Sequence, residues 1–398
     1  LGYVGQSLFQ SIKKQNINGV GFDISKDKIN DLKKKFNYKD LISSSSLILK
    51  NCNIYLICVP TPIFKNKKPD LRSLINACKN LKKYLKKNDI VIFESTVYPG
   101  VTKNICVPEL LKKKGDIKTK SFHYGYSPER YSPGEEKKIE NITKIVSGEN
   151  QYIGNKIKTF YSKFIKNIYL TNSIEEAELV KNFENCQRDH NIALMNELSI
   201  LCDKNNINMN NVLNACKTKW NFNDYKPGLV GGHCISVDPY YLVFKSEQLG
   251  YTPDVILSGR DVNDKMASFI ASKVVKLMIK KDINVKGSDI LILGITFKEN
   301  CPDIRNSGIQ NVIKELKKFE CNLDLQDPYV DKEEIKKIYD IYPISKPSQK
   351  TYDAVIIAVS HDKFKSIGFN NIKNLCKTNN VIFDLKDLYT SDEVDLKL

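Results

Sequence analysis

Residues 1–23 read LGYVGQSLFQSIKKQNINGVGFD. Gly2, Tyr3, Val4 and Gly5, followed by an apolar-periodic stretch, form the second half of a G-x-G-x-x-G turn, whose glycines let a pyrophosphate approach a helix N-terminus. Eighteen residues after Gly5, the run from Asn18 to Asp23 reads as a strand ending in a carboxylate. A dinucleotide fold places such an acid against the adenosine ribose hydroxyls, and an acid there favours NAD over NADP. Lys28, five residues further on, is in reach of the adenosine side. The first glycine of the turn and the strand before it do not precede Leu1, so the sequence reads as entered part way through the motif.

Working outward, strand and helix patterns alternate. The run NIYLICV at 53–59 is a buried strand closing at Pro60-Thr61-Pro62, and 89–93 is another, closing at ESTVYPG over 94–100. The loop HYGYSPERYSPG at 123–134 carries Glu129 and Arg130. Strand ends of this kind lie at the carboxyl edge of a parallel sheet, where ligands bind. Thr61 and Thr96 serve there either in turn chemistry or in cofactor contact. From Ser173 the pattern becomes a long amphipathic helix, a second helix follows near 209–217, and 253–281 reads as a further long helix, a spine carrying Arg260. The alternation restarts with strands at 289–297, 321–325, 354–359 and 381–383. The predicted fold is α/β: two doubly wound Rossmann-like domains, at 1–170 and 281–398, joined by a central helical domain at 171–280 with the long spine helix.

The chemistry concentrates in PGLVGGHCISVDPYYL, residues 227–242. Cys234 follows Gly231, Gly232 and His233 and precedes Asp238 by four residues. Glycines permit close backbone approach of a ligand, and N–H groups beside a thiolate can hold an oxyanion, which is how a nucleophile is presented. Lys181 and Asn185, four apart, project from one helical face and suit an oxyanion or a proton relay. Glu129 suits the role of base toward an attacking water.

Composition narrows the class. The chain has 398 residues, 41% hydrophobic and 27% charged, and no apolar run of transmembrane length, so a soluble cytoplasmic protein is expected. Eleven cysteines without a C-x-x-C pair or a signal peptide ahead of them argue for reduced thiols rather than a disulfide or zinc framework, and no metal is expected. The formal charge of +16 is nearly all interspersed lysine, and arginine is confined to Arg72, Arg130, Arg188, Arg260 and Arg305. Where lysine is the default, a retained arginine marks a place that needs the planar fork. Interspersed lysine without aromatic stacking motifs gives no nucleic-acid footprint. A non-catalytic basic scaffold or nucleic-acid-binding protein is the alternative of another class, and it predicts salt-sensitive binding to nucleic acid.

Taken together, GYVG at 2–5, ESTVYPG at 94–100, YSPER at 126–130, KNFEN at 181–185, GGHCISVD at 231–238 and FKENCPDIRNS at 297–307 resemble the UDP-glucose/GDP-mannose dehydrogenase family over essentially the whole chain. Within it, NFNDYKPGLVGGHCISVDPYYL is most similar to bacterial enzymes that oxidise UDP-N-acetylglucosamine or UDP-N-acetylgalactosamine at C6 for surface polysaccharides. Tyr131-Ser132 and His190 depart from the family's more frequent residues and remove no catalytic group. The resemblance implies an NAD-dependent four-electron oxidation through a thioester at Cys234. Lys181 and Asn185 would hold the C6 oxyanion, Glu129 activate the hydrolytic water, Asp238 orient water or Lys181, and Thr96 touch the same network. It places Gly2, Tyr3, Val4, Gly5, Asp23, Lys28, Thr61 and Thr96 around NAD, with Arg305 at the pyrophosphate. It lines the UDP-sugar with Glu129, Arg130, Lys181, Asn185, Tyr225, Lys226, Gly231, Phe297 and Lys298, with Arg260 reaching the neighbouring subunit's site in a homodimer built through the central helices. UDP-glucose or UDP-N-acetylmannosamine is the same-class alternative, because one acetamido group or epimer is discriminated by pocket shape.

Overall fold

The opening turn folds into helix α1 (Tyr3–Lys14) in a computed structural model that describes residues 1–36, 38, 41–112, 121–131, 139–232, 235–390 and 392–398. Leu8 and Ile12, one turn apart, face a sheet core, while Phe9 turns toward Ile29 and Ile42. Strand β1 (Gly21–Phe22) pairs in parallel with β2 (Ile42–Ser43) across helix α2 (Lys26–Lys35), whose N-cap Ser25 accepts from the Lys28 N–H. There follow β3 (Ile54–Ile57), α3 (Arg72–Leu81), β4 (Ile90–Phe93), α4 (Val107–Leu111), β5 (His123–Tyr126), β6 (Lys144–Gly148), α5 (Gln151–Tyr161) and β7 (Ile168–Leu170).

These strands form a five-stranded sheet in the order β3-β4-β5-β6-β7. All neighbours are parallel except the antiparallel pair β5 and β6. β4 is buried along its whole length, which is why IVIF reads as a continuous apolar run rather than an alternating one. The sheet, α1, the described part of the Glu129 loop and residues 240–252 belong to one compact unit, Leu1–Glu184 with Tyr240–Thr252.

The second unit comprises Asn185–Pro239 and Pro253–Leu398. The chain passes between the units inside helices α6 (Ile174–Lys204) and α8 (Asp238–Gln248). Helix α7 (Met209–Cys216) lies between them, and α9 (Asp254–Lys280) is the predicted long helix. From Ala267 to Met278, α9 is built into the core of the second sheet.

That sheet is assembled from β8 (Asp289–Leu293), α10 (Ile309–Lys318), β9 (Asn322–Gln326), α11 (Lys332–Tyr339), β10 (Tyr352–Ile357), α12 (Asp362–Ile367), α13 (Phe369–Lys373), β11 (Cys376–Asp384) and β12 (Leu396–Lys397). Its order is β12-β11-β10-β8-β9, all parallel. Ile290 and Ile292 of β8 enter the core that holds α9 and α10, whereas Leu291 and Leu293 enter the core that holds Phe364 and Ile372. The two-residue period therefore feeds helices on both faces, the signature of a doubly wound sheet. Strand order reverses at β8, so the loops after β8 and β10 flank a topological switch point. No described helix is long and apolar enough to cross a membrane.

Two expectations change. HYGY at 123–126 is strand rather than loop, and DPYYL at 238–242 is the first part of α8 rather than an irregular segment, with Tyr240, Tyr241 and Leu242 buried. Asp238 and Pro239 open that helix, a position that favours both residue types.

Candidate active site

In the first unit, four strand-end segments meet the predicted cofactor residues. Gly5 sits so close to β3 that a Cβ there would lie 3.4 Å from the Cys58 Cβ. This is the tight helix-on-strand seating that the last fingerprint glycine serves. Asp23, just after β1, accepts from the Ser25 N–H at 3.0 Å and lies 3.2 Å from the Lys28 Nζ, so the two predicted adenosine-side residues are neighbours. The Thr61 hydroxyl donates to the Thr96 carbonyl at 2.7 Å, which is turn chemistry linking the two loops. Tyr241 donates to the Thr61 carbonyl at 2.7 Å. A glycine-led helix end, a strand-end carboxylate and small hydroxyl loops form a donor set that fits NAD.

The loop after β4 is fastened to α6. The Glu178 carboxylate, fully buried, accepts from the Gly100 N–H at 2.6 Å and the Thr102 N–H at 2.9 Å. Asn182, one turn on, donates to the Val97 carbonyl at 2.6 Å. Burial pushes Glu178 up to about 7, against the two N–H donors that favour its charged form. Lys181, half-buried, lies between these two anchors in sequence.

The loop after β5 is fastened to the same helix. Arg130 reaches Glu184 through Nε at 3.2 Å and a terminal nitrogen at 2.6 Å, and donates to the Thr143 carbonyl at 2.8 Å. Glu129 beside it is 7% exposed. Its Oε1 accepts from the Tyr131 N–H at 2.5 Å, and its Oε2 lies 3.6 Å from the Lys144 Nζ. Residues 132–134 of that loop lie outside the described residues.

In the second unit, Asn185 donates to Asp238, which brings together two residues nominated from sequence. Cys234 and His233 lie outside the described residues. The glycines before them meet the chain itself: a Cβ on Gly231 would lie 2.8 Å from the Asn306 carbonyl oxygen and the Gly308 nitrogen. Gly232, at φ +85°, donates to the Asn306 carbonyl at 2.9 Å, and a Cβ there would lie 3.0 Å from the Phe297 ring. The glycine pair thus serves close approach of the 306–308 backbone and Phe297, where sequence alone suggested room for a ligand. Asn196 fixes the same stretch by exchanging two hydrogen bonds with the Gly228 backbone, at 2.8 and 3.0 Å.

The remaining predicted residues are also placed. Lys298 and Arg305 follow β8, where Asp303 accepts from Arg305 Nε at 2.9 Å and from a terminal nitrogen at 2.6 Å. Tyr225 packs beside Met195, Met209 and Leu213. Lys226 lies 3.9 Å from Asp387, on the rim of a cavity of about 570 Å³ lined by Ser360, Lys365, Lys386, Asp387, Leu388 and Tyr389. Arg260 is 4% exposed and held by Asp189 at 2.7 Å and by Asp264 within its own unit.

Sequence reasoning passed over Glu178, Asn182, Glu184, Lys144, His361 and the cavity lysines. His361 accepts from the Asn300 N–H at 2.9 Å and faces Asp327 at 3.1 Å, holding the loop that carries Phe297 and Lys298. The described cysteines are free thiols. Burial pushes Cys186 up to about 12 and Cys376 up to about 11, leaving them unreactive.

Comparison with known proteins agrees with this layout. Profiles of the UDP-glucose/GDP-mannose dehydrogenase family match in three segments: the NAD binding domain over 1–165, the central domain over 175–265 and the UDP binding domain over 291–391. A UDP-N-acetyl-D-glucosamine 6-dehydrogenase of Salmonella typhi is 45% identical over 100% of this chain and 97% of its own length. The enzyme of that name from Pseudomonas aeruginosa is 43% identical over 100% and 98%. A solved UDP-D-ManNAc dehydrogenase from Pyrococcus horikoshii superposes with a TM-score of 0.86 at 25% identity, covering 100% of this chain and 97% of that one. The two Rossmann-like sheets, the polar face of α6 and the full-length relatives place this chain in the UDP-glucose/GDP-mannose dehydrogenase family.

Proposed function

We propose that the chain oxidises the C6 hydroxyl of UDP-N-acetylglucosamine or UDP-N-acetylgalactosamine to a carboxylate, using two NAD, for surface-polysaccharide synthesis. The observation that carries this reading is full-length identity of 45% to a UDP-N-acetyl-D-glucosamine 6-dehydrogenase. Residues 1–170 hold NAD, 171–280 supply the catalytic and self-association helices, and 281–398 hold the UDP-sugar.

NAD, when bound, takes one hydride from C6 in each of the two oxidations. Lys181 receives the proton of the C6 hydroxyl and, with Asn185, stabilises the oxyanion. The Cys234 thiolate forms a C–S bond to the aldehyde carbon, and loss of the C6 hydrogen with its electron pair leaves a thioester. Water then adds to the thioester carbon, passing a proton to Glu129. The C–S bond breaks and returns the thiolate. One alcohol, two NAD+ and one water give one carboxylate, two NADH and three protons. Asp238, bonded to Asn185, fixes the amide that faces the oxyanion.

The cavity bearing Lys365 and Lys386 suits the diphosphate, with Lys226, Lys298, Phe297, Tyr225, Arg130 and Gly231 toward the rest of the nucleotide sugar. Arg305 serves the NAD pyrophosphate, and Arg260 the neighbouring subunit's site. A cytoplasmic homodimer is the assembly: Leu179 and Phe183, four apart on α6, and Leu194 and Leu201, seven apart, are exposed apolar residues that self-association would cover.

The test is the purified protein with UDP-N-acetylglucosamine and UDP-N-acetylgalactosamine. Two NADH per sugar, and no uronate from Cys234→Ala, is the expected result. Release of aldehyde after one NADH, with Cys234→Ala unaffected, overturns the mechanism. UDP-N-acetylmannosamine is the second reading, favoured by relatives of that name at 32% identity, and kcat/KM across a UDP-sugar panel decides between them.

A further inference from the structure

At the carboxyl edge of the first sheet, four ionisable side chains from separate elements share one buried space. Glu94 ends β4 and is 2% exposed, Lys144 opens β6 and is 3% exposed, Glu129 follows β5, and Tyr161 closes α5 with no exposure. Tyr161 donates to one Glu94 oxygen and the Lys144 ammonium to the other. Lys144 also donates to the Pro128 carbonyl at 3.2 Å and lies 3.6 Å from Glu129 Oε2. Cys58, at the end of β3, is the fourth neighbour, its thiol pushed up by burial and then by Glu94.

Two carboxylates and one ammonium leave the group one negative charge in excess. A buried carboxylate costs several kcal/mol unless it is paired or neutralised. Glu94 takes both donors, so Glu129 Oε2, buried and without a hydrogen-bond donor, depends on the field of Lys144 alone. Burial lowers the Lys144 ammonium, but Glu129 and then Glu94 together outweigh it and raise the group above its ordinary value, so the cation is retained.

We propose that Lys144 and Glu94 are opposed positioning residues for Glu129: Lys144 favours the anionic carboxylate that accepts a proton from the hydrolytic water, and Glu94 limits that preference so the proton can be received and released. This rests on Glu129 being the base of thioester hydrolysis. Nothing in the pair touches substrate. Their effect is exerted through charge across 3.6 Å of dry protein on the Lys144 side and through competition for the same ammonium on the Glu94 side.

The arrangement predicts shifts of opposite sign. An opposite charge at this range moves a carboxyl by about 1–3 units, and a like charge moves it the other way. Glu94→Gln keeps an acceptor for Lys144 and Tyr161 while removing the competing charge. The acid limb of its kcat profile moves to lower pH. Lys144→Met removes the cation, and its acid limb moves to higher pH by at least one unit. kcat at pH 7 falls at least tenfold, with KM for the UDP-sugar within about twofold. Below the limb, Lys144→Met accumulates the covalent sugar thioester, visible as an added mass on the intact protein, and Lys144→Arg restores the profile.

Should Lys144→Met fail to fold, the double variant Glu94→Gln with Lys144→Met buries no net charge from this pair and carries the same prediction for the acid limb relative to Glu94→Gln. Shifts of the same sign in both single variants, or loss of kcat with an unmoved limb, overturn the proposal. A wild-type protein that forms no thioester and only one NADH overturns the assigned reaction instead, so the two failures are distinguishable.

Discussion

The Glu178 carboxylate offers a pH experiment in which two physical effects oppose each other. Its two acceptor bonds to the Gly100 and Thr102 N–H groups favour the charged form, and full burial disfavours it. Burial is the larger effect, and the group moves from 4.5 to about 7. Below pH 4.5 folded and unfolded chains both hold the proton. Between 4.5 and 7 only the folded chain keeps it, so stability falls as pH rises through that window, and above 7 the contribution is gone. At 1.36 kcal/mol per unit, the descent attributable to this one group is about 3 kcal/mol.

Glu178→Gln is uncharged throughout and lacks that descent. It also accepts at one atom only, leaving one of the two buried N–H groups facing an amide NH2, at a cost of about 1–3 kcal/mol. The variant is therefore less stable than wild type at pH 5 and draws level with it near pH 8. Urea unfolding at half-unit intervals from pH 5 to 8, followed by far-UV circular dichroism and the near-UV tyrosine signal, measures both curves. The difference profile isolates the group, because every other titration is common to both proteins. Parallel curves, or a wild type that gains on the variant as pH rises, would show that the hydrogen bonds outweigh burial.

Two further outcomes follow from the geometry. Arg130→Lys replaces a three-point fork on Glu184 and Thr143 with a single ammonium. We expect kcat to fall about tenfold with little change in KM, since a lysine cannot reproduce the fork, whereas a rise in the UDP-sugar KM at unchanged kcat would assign Arg130 to direct substrate contact. Leu194→Asp places a charge on the exposed apolar face of α6 and should give monomers by sedimentation equilibrium without lowering the melting temperature by more than about 2 °C, a small surface effect. A variant that stays dimeric would move the interface elsewhere.

The parts of this molecule that were legible in sequence are those where one physical demand acts alone. DILIL and IVIF are buried on both sides and read as strands, and Gly2 to Gly5 with Asp23 read as a dinucleotide turn because helix seating and ribose recognition each demand one residue type. Lys144 hid β6, since a charged residue opening a five-residue strand argues against burial until its partner Glu94 is known. DPYYL was obscured by its proximity to the glycines of 227–232. The glycines themselves were read toward a ligand, because the chain segment that approaches them, 306–308, is about seventy residues away in sequence.

Helix α6 held a signal that periodicity alone could have shown. Glu178, Lys181, Asn182 and Asn185 occupy positions i, i+3, i+4 and i+7, the stripe an amphipathic helix normally gives to apolar residues. Glu178 and Asn182 in that stripe are nevertheless fully buried. A buried polar stripe is tolerated only where each group finds a partner, and Glu178 and Asn182 find theirs on the loop after β4. Those bonds fix the rotation of α6 about its own axis relative to that loop, and Glu184 fixes it again through Arg130 on the loop after β5. Lys181 then has no rotational freedom of its own: slipping the helix by one residue would turn it by 100° and break both loop attachments at once. The residues that bond only to backbone and to each other thus set where the proposed oxyanion-holding pair points, which is why the stripe is polar along its whole length rather than only at Lys181 and Asn185.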